Sequence, residues 1–204
     1  MSQRLLFVLI LLLASTAIGL ALFWQPGQPA APGVADGPAG GDFVLQSADG
    51  PLDTRSLRGK VVLIYFGYTY CPDICPTTLV AIGEALKALA PAELAQVRTV
   101  FVSVDPDRDT PQRLKDYAVF FHPSMVGVTG SNEDIAKVAR LYGAIYARQD
   151  VGSSAGYVVD HSAWTYLVSP DGRLVGRIAH GTPPEQMLAE IRKWLPSPIT
   201  KGAS

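Results

Sequence analysis

The chain has 204 residues, 48% of them apolar, which suits one ordinary domain with a real core and some appendages. Its formal net charge is -1 and its Lys and Arg residues do not cluster, which excludes the concentrated basic surface that a nucleic-acid partner requires. Only two cysteines are present, Cys71 and Cys75, so a disulfide-stapled framework is excluded and short-range metal or redox chemistry is indicated.

The first segment, Leu5 to Trp24, reads LLFVLILLLASTAIGLALFW. It carries no charge over about 20 positions, the length of a membrane-crossing helix. Arg4 precedes it and no Lys or Arg follows until Arg55, so the positive-inside rule puts Met1 in the cytoplasm and the remainder outside. A cleaved signal peptide would have a shorter apolar core and an A-x-A site. Here the run continues into Trp24, an interfacial aromatic, and residues 1–24 are read as an uncleaved anchor. This implies a single-pass protein whose domain lies outside the cytoplasm, and the expected setting is a bacterial inner membrane with the domain facing the periplasm or an equivalent compartment. Residues 25–41, QPGQPAAPGVADGPAGG, cannot form a core and read as a partly stiff tether. Residues 42–198 are expected to fold as the functional domain, and 199–204 to form a tail.

Within the domain, Lys60 to Phe66 is a continuous apolar, β-branched and aromatic run, as in a strand buried on both faces. Pro76 to Leu89 has helical spacing, with Leu79, Ile82, Leu86 and Leu89 on one face. Val100 to Val104 is a second buried strand. Thr110 and Pro111 open a helix as N-cap and first residue. Met125 to Val128 is a short strand, and Ser131 with Asp134 starts a helix running to about Tyr142. Arg148 to Val159, with Gly152-Ser153-Ser154, reads as a mobile loop. Trp164 to Val168 and Leu174 to Ile178 form a hairpin around Pro170-Asp171-Gly172. Thr182 to Glu185 caps a last helix ending near Leu195. This order predicts a mixed α/β sheet with helices on both faces, and a thioredoxin-like fold fits it.

Cys71 and Cys75 join the first buried strand to the following helix, at the carboxyl end of a central strand. Unpaired N–H groups and the helix dipole favour thiolate there. Residues i and i+4 of a first turn share a face, so the two sulfurs can bind one ion or close a disulfide. A purely structural disulfide of so short a loop would stabilise little. The spacing is C-x-x-x-C, not C-x-x-C, which argues towards a metal. Soft thiolates select Cu(I) or zinc, and a third ligand is needed. His122 and His180 are read as structural, and Met125 and Met187 as core. His161 is kept as the candidate ligand, with Asp160 as a group that could orient its imidazole.

At these residues the chain resembles the Sco/SenC family of copper proteins involved in cytochrome c oxidase assembly. YFGYTYCPDICPTTL is similar to the family's copper-binding segment, VSVDPDRDTPQRLKDYAVFFHP to its second strand and following helix, and DHSAWTYLVSPDGRLV to its DH motif and final hairpin. The likeness spans about Phe43 to Trp194. It implies a thioredoxin-like fold, one N-terminal anchor, and copper held by Cys71, Cys75 and His161. It also implies an upstream copper donor and, as partner, the oxidase subunit carrying the binuclear copper site. The chain would deliver copper to that site or keep its cysteines reduced. The residues leave the oxidation state open between Cu(I) and Cu(II). A peroxidase is the weaker rival, since the nearest basic residue in sequence is Lys60.

Overall fold

The computed structural model describes residues 38–152 and 156–196. The predicted anchor, most of the tether and the tail lie outside the described residues. Among the described residues, no helix is long and apolar enough to cross a membrane.

The centre is β3 (Val61–Gly67), all seven of whose residues are buried. It pairs in parallel with β4 (Val97–Ser103) in the register Val61↔Val97 to Gly67↔Ser103. On its other side it pairs antiparallel with β8 (Thr165–Val168). The outer strands are β5 (Met125–Val128), parallel to β4, and β9 (Leu174–Ile178), antiparallel to β8. The five-stranded order is therefore β5-β4-β3-β8-β9. Helices cover both faces of the central strands, so β3 and Val100–Val102 of β4 read as apolar runs, although the start of β4 carries Arg98 and Thr99.

Successive side chains of a strand alternate between faces. Tyr65 points to the face covered by α1 (Ile74–Lys87) and α3 (Pro111–Phe121): it stacks on Phe101, and Phe101 meets Tyr117. Phe66 points to the other face, where it meets Tyr142 of α4 (Asn132–Tyr142) and Tyr166. Helices thus cover both faces, and with this strand order the domain has the thioredoxin-like arrangement. A short α2 (Pro91–Leu94) leads into β4, and α5 (Pro184–Arg192) packs on α1.

Several expected signals are realised. The Thr110 side chain accepts from Arg113 N–H, with Pro111 as the first helical residue, and the Ser131 side chain accepts from Asp134 N–H. Gly172 closes the β8–β9 turn at φ 88°, a left-handed conformation that favours glycine.

Other details differ. A hairpin of β1 (Val44–Ser47) and β2 (Gly50–Asp53) precedes the core. Helix α1 begins at Ile74, two residues before Pro76. Proline at the third helical position is tolerated because no intrahelical acceptor exists there for its missing N–H. Cys75 therefore lies within the first turn, whereas Cys71 precedes the helix. Helix α5 ends at Arg192, and its N-cap position is taken by Pro183, not Thr182.

The segment expected as a mobile loop is largely a hairpin. β6 (Tyr146–Asp150) and β7 (Tyr157–His161) pair antiparallel, with Tyr146 opposite His161 and Asp150 opposite Tyr157. Arg148, Gln149 and Asp150 are exposed, so β6 has no period-2 apolar signal to betray it.

Candidate metal centre

β3 delivers the chain to the site and stops there. Gly67 ends the strand, and a Cβ placed on it would lie 2.6 Å from the Cys75 sulfur and 2.9 Å from the Phe101 ring. Only glycine lets Cys75 sit against the strand end. After Gly67 the loop carries Tyr68 and then Cys71, whose N–H donates to the Tyr68 carbonyl at 3.3 Å.

The structure brings together the three expected residues. The ligand atoms of Cys71, Cys75 and His161 all lie within 4.8 Å of one another. His161 Nε2 is 3.1 Å from Cys75 Sγ. The imidazole stands edge-on to two tyrosine rings, Tyr68 at 5.8 Å and Tyr65 at 6.1 Å between centroids. Its Nδ1 faces the Ser162 carbonyl oxygen at 3.2 Å. A carbonyl can only accept, so Nδ1 carries a hydrogen and Nε2 faces the sulfurs, as a lone pair in the neutral imidazole and as a second N–H donor in the imidazolium. The orienting group is thus the neighbouring backbone and not Asp160, whose side chain is exposed. His161 sits where it does because it ends β7, the strand that sequence periodicity did not reveal.

The other candidates are elsewhere. His122 is buried at the end of α3, its Nδ1 accepting from Ser124 N–H, and burial lowers its pKa. Exposed His180 contacts Thr78 Oγ1 through Nδ1 at 2.8 Å. The Thr78 hydroxyl donates to the Ile74 carbonyl, so it accepts from the histidine. Met125 and Met187 are buried core residues.

The two thiols are free and unlike one another. Cys71 is held at a pKa of about 4, first by the hydrogen bond from Cys75, then by His161 and by the N–H groups of Asp73 and Cys75. Cys75 is fully buried, and that burial, with the neighbouring Cys71 thiolate, pushes its thiol far upward. One proton is therefore shared asymmetrically: Cys71 is the thiolate and Cys75 the donor. A groove of about 340 Å³, lined by Tyr68, Cys71, Pro72, Ile74, Val158 and His161, opens onto the cluster.

The sequence shows no basic residue near the cysteines, but the fold brings two cations onto the tyrosines of the cysteine loop. The Arg108 guanidinium stands 4.8 Å from the Tyr70 ring centroid and 5.6 Å from that of Tyr68, and Arg113 covers Tyr70 at 4.2 Å. Also missed was Asp109, a buried carboxylate in the β4–α3 connection. The available signal was DPDRD itself, a knot of charge immediately after a buried strand.

A thioredoxin-like domain with two thiols and one imidazole converging at the start of its first helix defines a thiol protein of metal-binding or redox type. Residues 33–196 match the model of the SCO1/SenC family, and the chain belongs to that family. The mitochondrial SCO1 homologue 1 of Arabidopsis thaliana is 43% identical over 137 residues, which are 67% of this chain and 41% of that protein. The chain thus spans less than half of that relative's length. The copper-bound structure of Bradyrhizobium japonicum ScoI superposes with a TM-score of 0.70 at 39% identity, over 76% of this chain and 99% of that one. BsSco, described with a disulfide switch and as a member of a family of cytochrome c oxidase assembly proteins, superposes with a TM-score of 0.60 at 28% identity, over 78% and 94% of the two chains.

Proposed function

We propose that Cys71, Cys75 and His161 hold one copper ion as cargo, and that the chain delivers it to the binuclear copper site of cytochrome c oxidase. The observation that carries this reading is the convergence of two sulfurs and one imidazole nitrogen within 4.8 Å at the end of an open groove. Thiolates with one imidazole suit Cu(I), and three ligands leave a position for an incoming one, as transfer by ligand exchange requires. Copper bound to the Bradyrhizobium protein and the oxidase-assembly role described for BsSco's family support the same reading. The proposed setting is extracytoplasmic: residues 1–24 anchor the chain in the bacterial inner membrane, and an upstream donor loads the site. The test is Cu(I) titration of the purified protein against a calibrated chelator. One tightly held equivalent is expected, and uptake no stronger than by a Cys75→Ser variant would overturn the reading.

A second reading is favoured by the inequality of the two thiols. A low-pKa, slightly exposed Cys71 beside a buried Cys75 is the arrangement of an attacking and a resolving thiol. Cys71 would attack a disulfide of the oxidase copper site, and Cys75 would release the reduced partner by closing the Cys71–Cys75 disulfide. The disulfide switch described for BsSco supports this chemistry.

A further inference from the structure

The connection between β4 and α3, Asp105-Pro106-Asp107-Arg108-Asp109, belongs to neither ligand-bearing segment yet touches both. Asp109 is 1% exposed and faces the cysteine side. It accepts from Thr69 N–H at 3.0 Å, from the Thr69 hydroxyl at 2.6 Å and from the Ser103 hydroxyl at 2.6 Å. Thr69 is two residues before Cys71, so this carboxylate fixes the cysteine loop to the end of β4. Asp105, 4% exposed, faces the histidine side. It accepts from Tyr157 Oη at 2.6 Å and from Arg108 Nε.

Arg108 lies between the two halves. One guanidinium nitrogen donates to the Tyr157 carbonyl at 3.0 Å, and the guanidinium stacks 3.7 Å from that ring's centroid. It also stands over Tyr68 and Tyr70 of the cysteine loop. Tyr157 opens β7, the strand that ends in His161. β6 and β7 form a separate two-stranded sheet, not hydrogen-bonded as strands to the central five. Its position over the cysteines therefore depends on such side-chain ties, together with the packing of Val159 into the core; the Ile145–Ser162 backbone contact only extends the hairpin's own ladder. A planar guanidinium has donors in several fixed directions, which an ammonium cannot reproduce.

We infer that Arg108, held by Asp105, is a positioning residue that sets His161 against the cysteine pair, while Asp109 independently holds the cysteine loop. The inference rests on the copper reading for its affinity test, and on the hairpin alone for its second test.

The experiment is a double-mutant cycle on the full chain, with Cu(I) affinity read by chelator competition. Arg108→Ala should weaken Cu(I) binding about tenfold, the size typical of removing a group that orients a ligand. In a His161→Ala background the same change should add less than about twofold, because the residue it positions is gone. Asp109→Asn should weaken binding in both backgrounds. Arg108→Lys, which keeps the charge, should behave like Arg108→Ala. Equal losses from Arg108→Ala with and without His161, or wild-type affinity in Arg108→Lys, would overturn the inference. Amide exchange of the metal-free protein is the second arm. Arg108→Ala should speed exchange across Tyr157–His161 and leave β3 protected. Unchanged exchange in β7 would overturn the inference even if the wild-type chain takes up no copper, whereas wild-type failure to bind Cu(I) overturns only the copper reading.

Discussion

His161 Nε2 lies 3.1 Å from Cys75 Sγ, although 86 positions separate the two residues in sequence. The contact joins the first turn of a helix to the last residue of a peripheral strand. The helix is fixed by the central sheet and the strand by the hairpin, so each half of the site has its own mechanical support. A change that moves one half should leave the other in place, and several predictions use that separation.

Gly67 tests the cysteine half. A Cβ there would press on the Cys75 sulfur at 2.6 Å and on Phe101 at 2.9 Å, both below any normal contact. Gly67→Ala should displace Cys75, weaken Cu(I) binding at least tenfold, and destabilise the fold by about 1–3 kcal/mol through overpacking. Chelator competition and chemical denaturation measure the two effects. Unchanged affinity would mean that the helix start adjusts without moving the sulfur.

The thiol inequality has a pH signature. The pKa of Cys71 is lowered to about 4, so this thiol is already ionised throughout the neutral range. Its alkylation by iodoacetamide should be nearly independent of pH between about pH 5.5 and 8. An ordinary thiol of pKa about 8.5 would react roughly tenfold faster per pH unit over most of that range. Cys75, buried and with its pKa raised, should be modified later than Cys71. Mass spectrometry of the singly labelled protein decides the order. Labelling that begins at Cys75 would reverse the assignment of thiolate and donor.

Both sulfurs should be indispensable to the metal. Cys71→Ser and Cys75→Ser each leave one thiolate and one imidazole, too few soft ligands for a selective Cu(I) site. Stoichiometric Cu(I) uptake should be lost in either variant while the fold persists, because serine nearly matches the volume of cysteine. Metal analysis after gel filtration checks the first expectation and circular dichroism the second. Full occupancy in either variant would remove that cysteine from the ligand set.

Much of this arrangement is legible in the sequence, for identifiable reasons. β3 and the Val100–Val102 stretch of β4 are buried on both faces and apolar, so they announce themselves, whereas Arg98 and Thr99 hide where β4 begins. The helix starts at Thr110 and Ser131 follow from cap chemistry that needs no tertiary information. The β6–β7 hairpin is different. One of its strands is solvent-exposed over Ala147 to Asp150, and side-chain ties to Asp105 and Arg108 help hold it. Such ties span 49 to 52 positions and leave no local period. The same holds for Asp109, whose carboxylate serves Thr69 from 40 positions away. The extra two residues at the start of α1 were hidden by Pro76, which looks like a boundary although the first turn accommodates it.

His161 separates the two readings of function. If the chain acts by carrying copper, His161→Ala removes a ligand while leaving both thiols free to cycle. Loss of even an outer partner of a ligand typically costs about 10–100-fold in metal affinity, so loss of the ligand itself should cost at least that. If the chain acts as a reductase, exchange depends on thiolate fraction, access and leaving group, and the imidazole contributes little directly. It is not wholly neutral: its hydrogen bond is one of the groups holding the Cys71 pKa down, though the bond from Cys75 is the larger. The variant's Cys71 should thus still be largely ionised at neutral pH, and its reduction of a partner disulfide should fall by no more than a few-fold. The decisive measurement is paired: Cu(I) affinity by chelator competition, and cytochrome c oxidase activity in cells whose only copy of the protein carries His161→Ala. Weakened copper binding with lost oxidase activity is the outcome expected of a copper carrier. Weakened copper binding with normal oxidase activity would end that reading and leave the dithiol as the working part of the site.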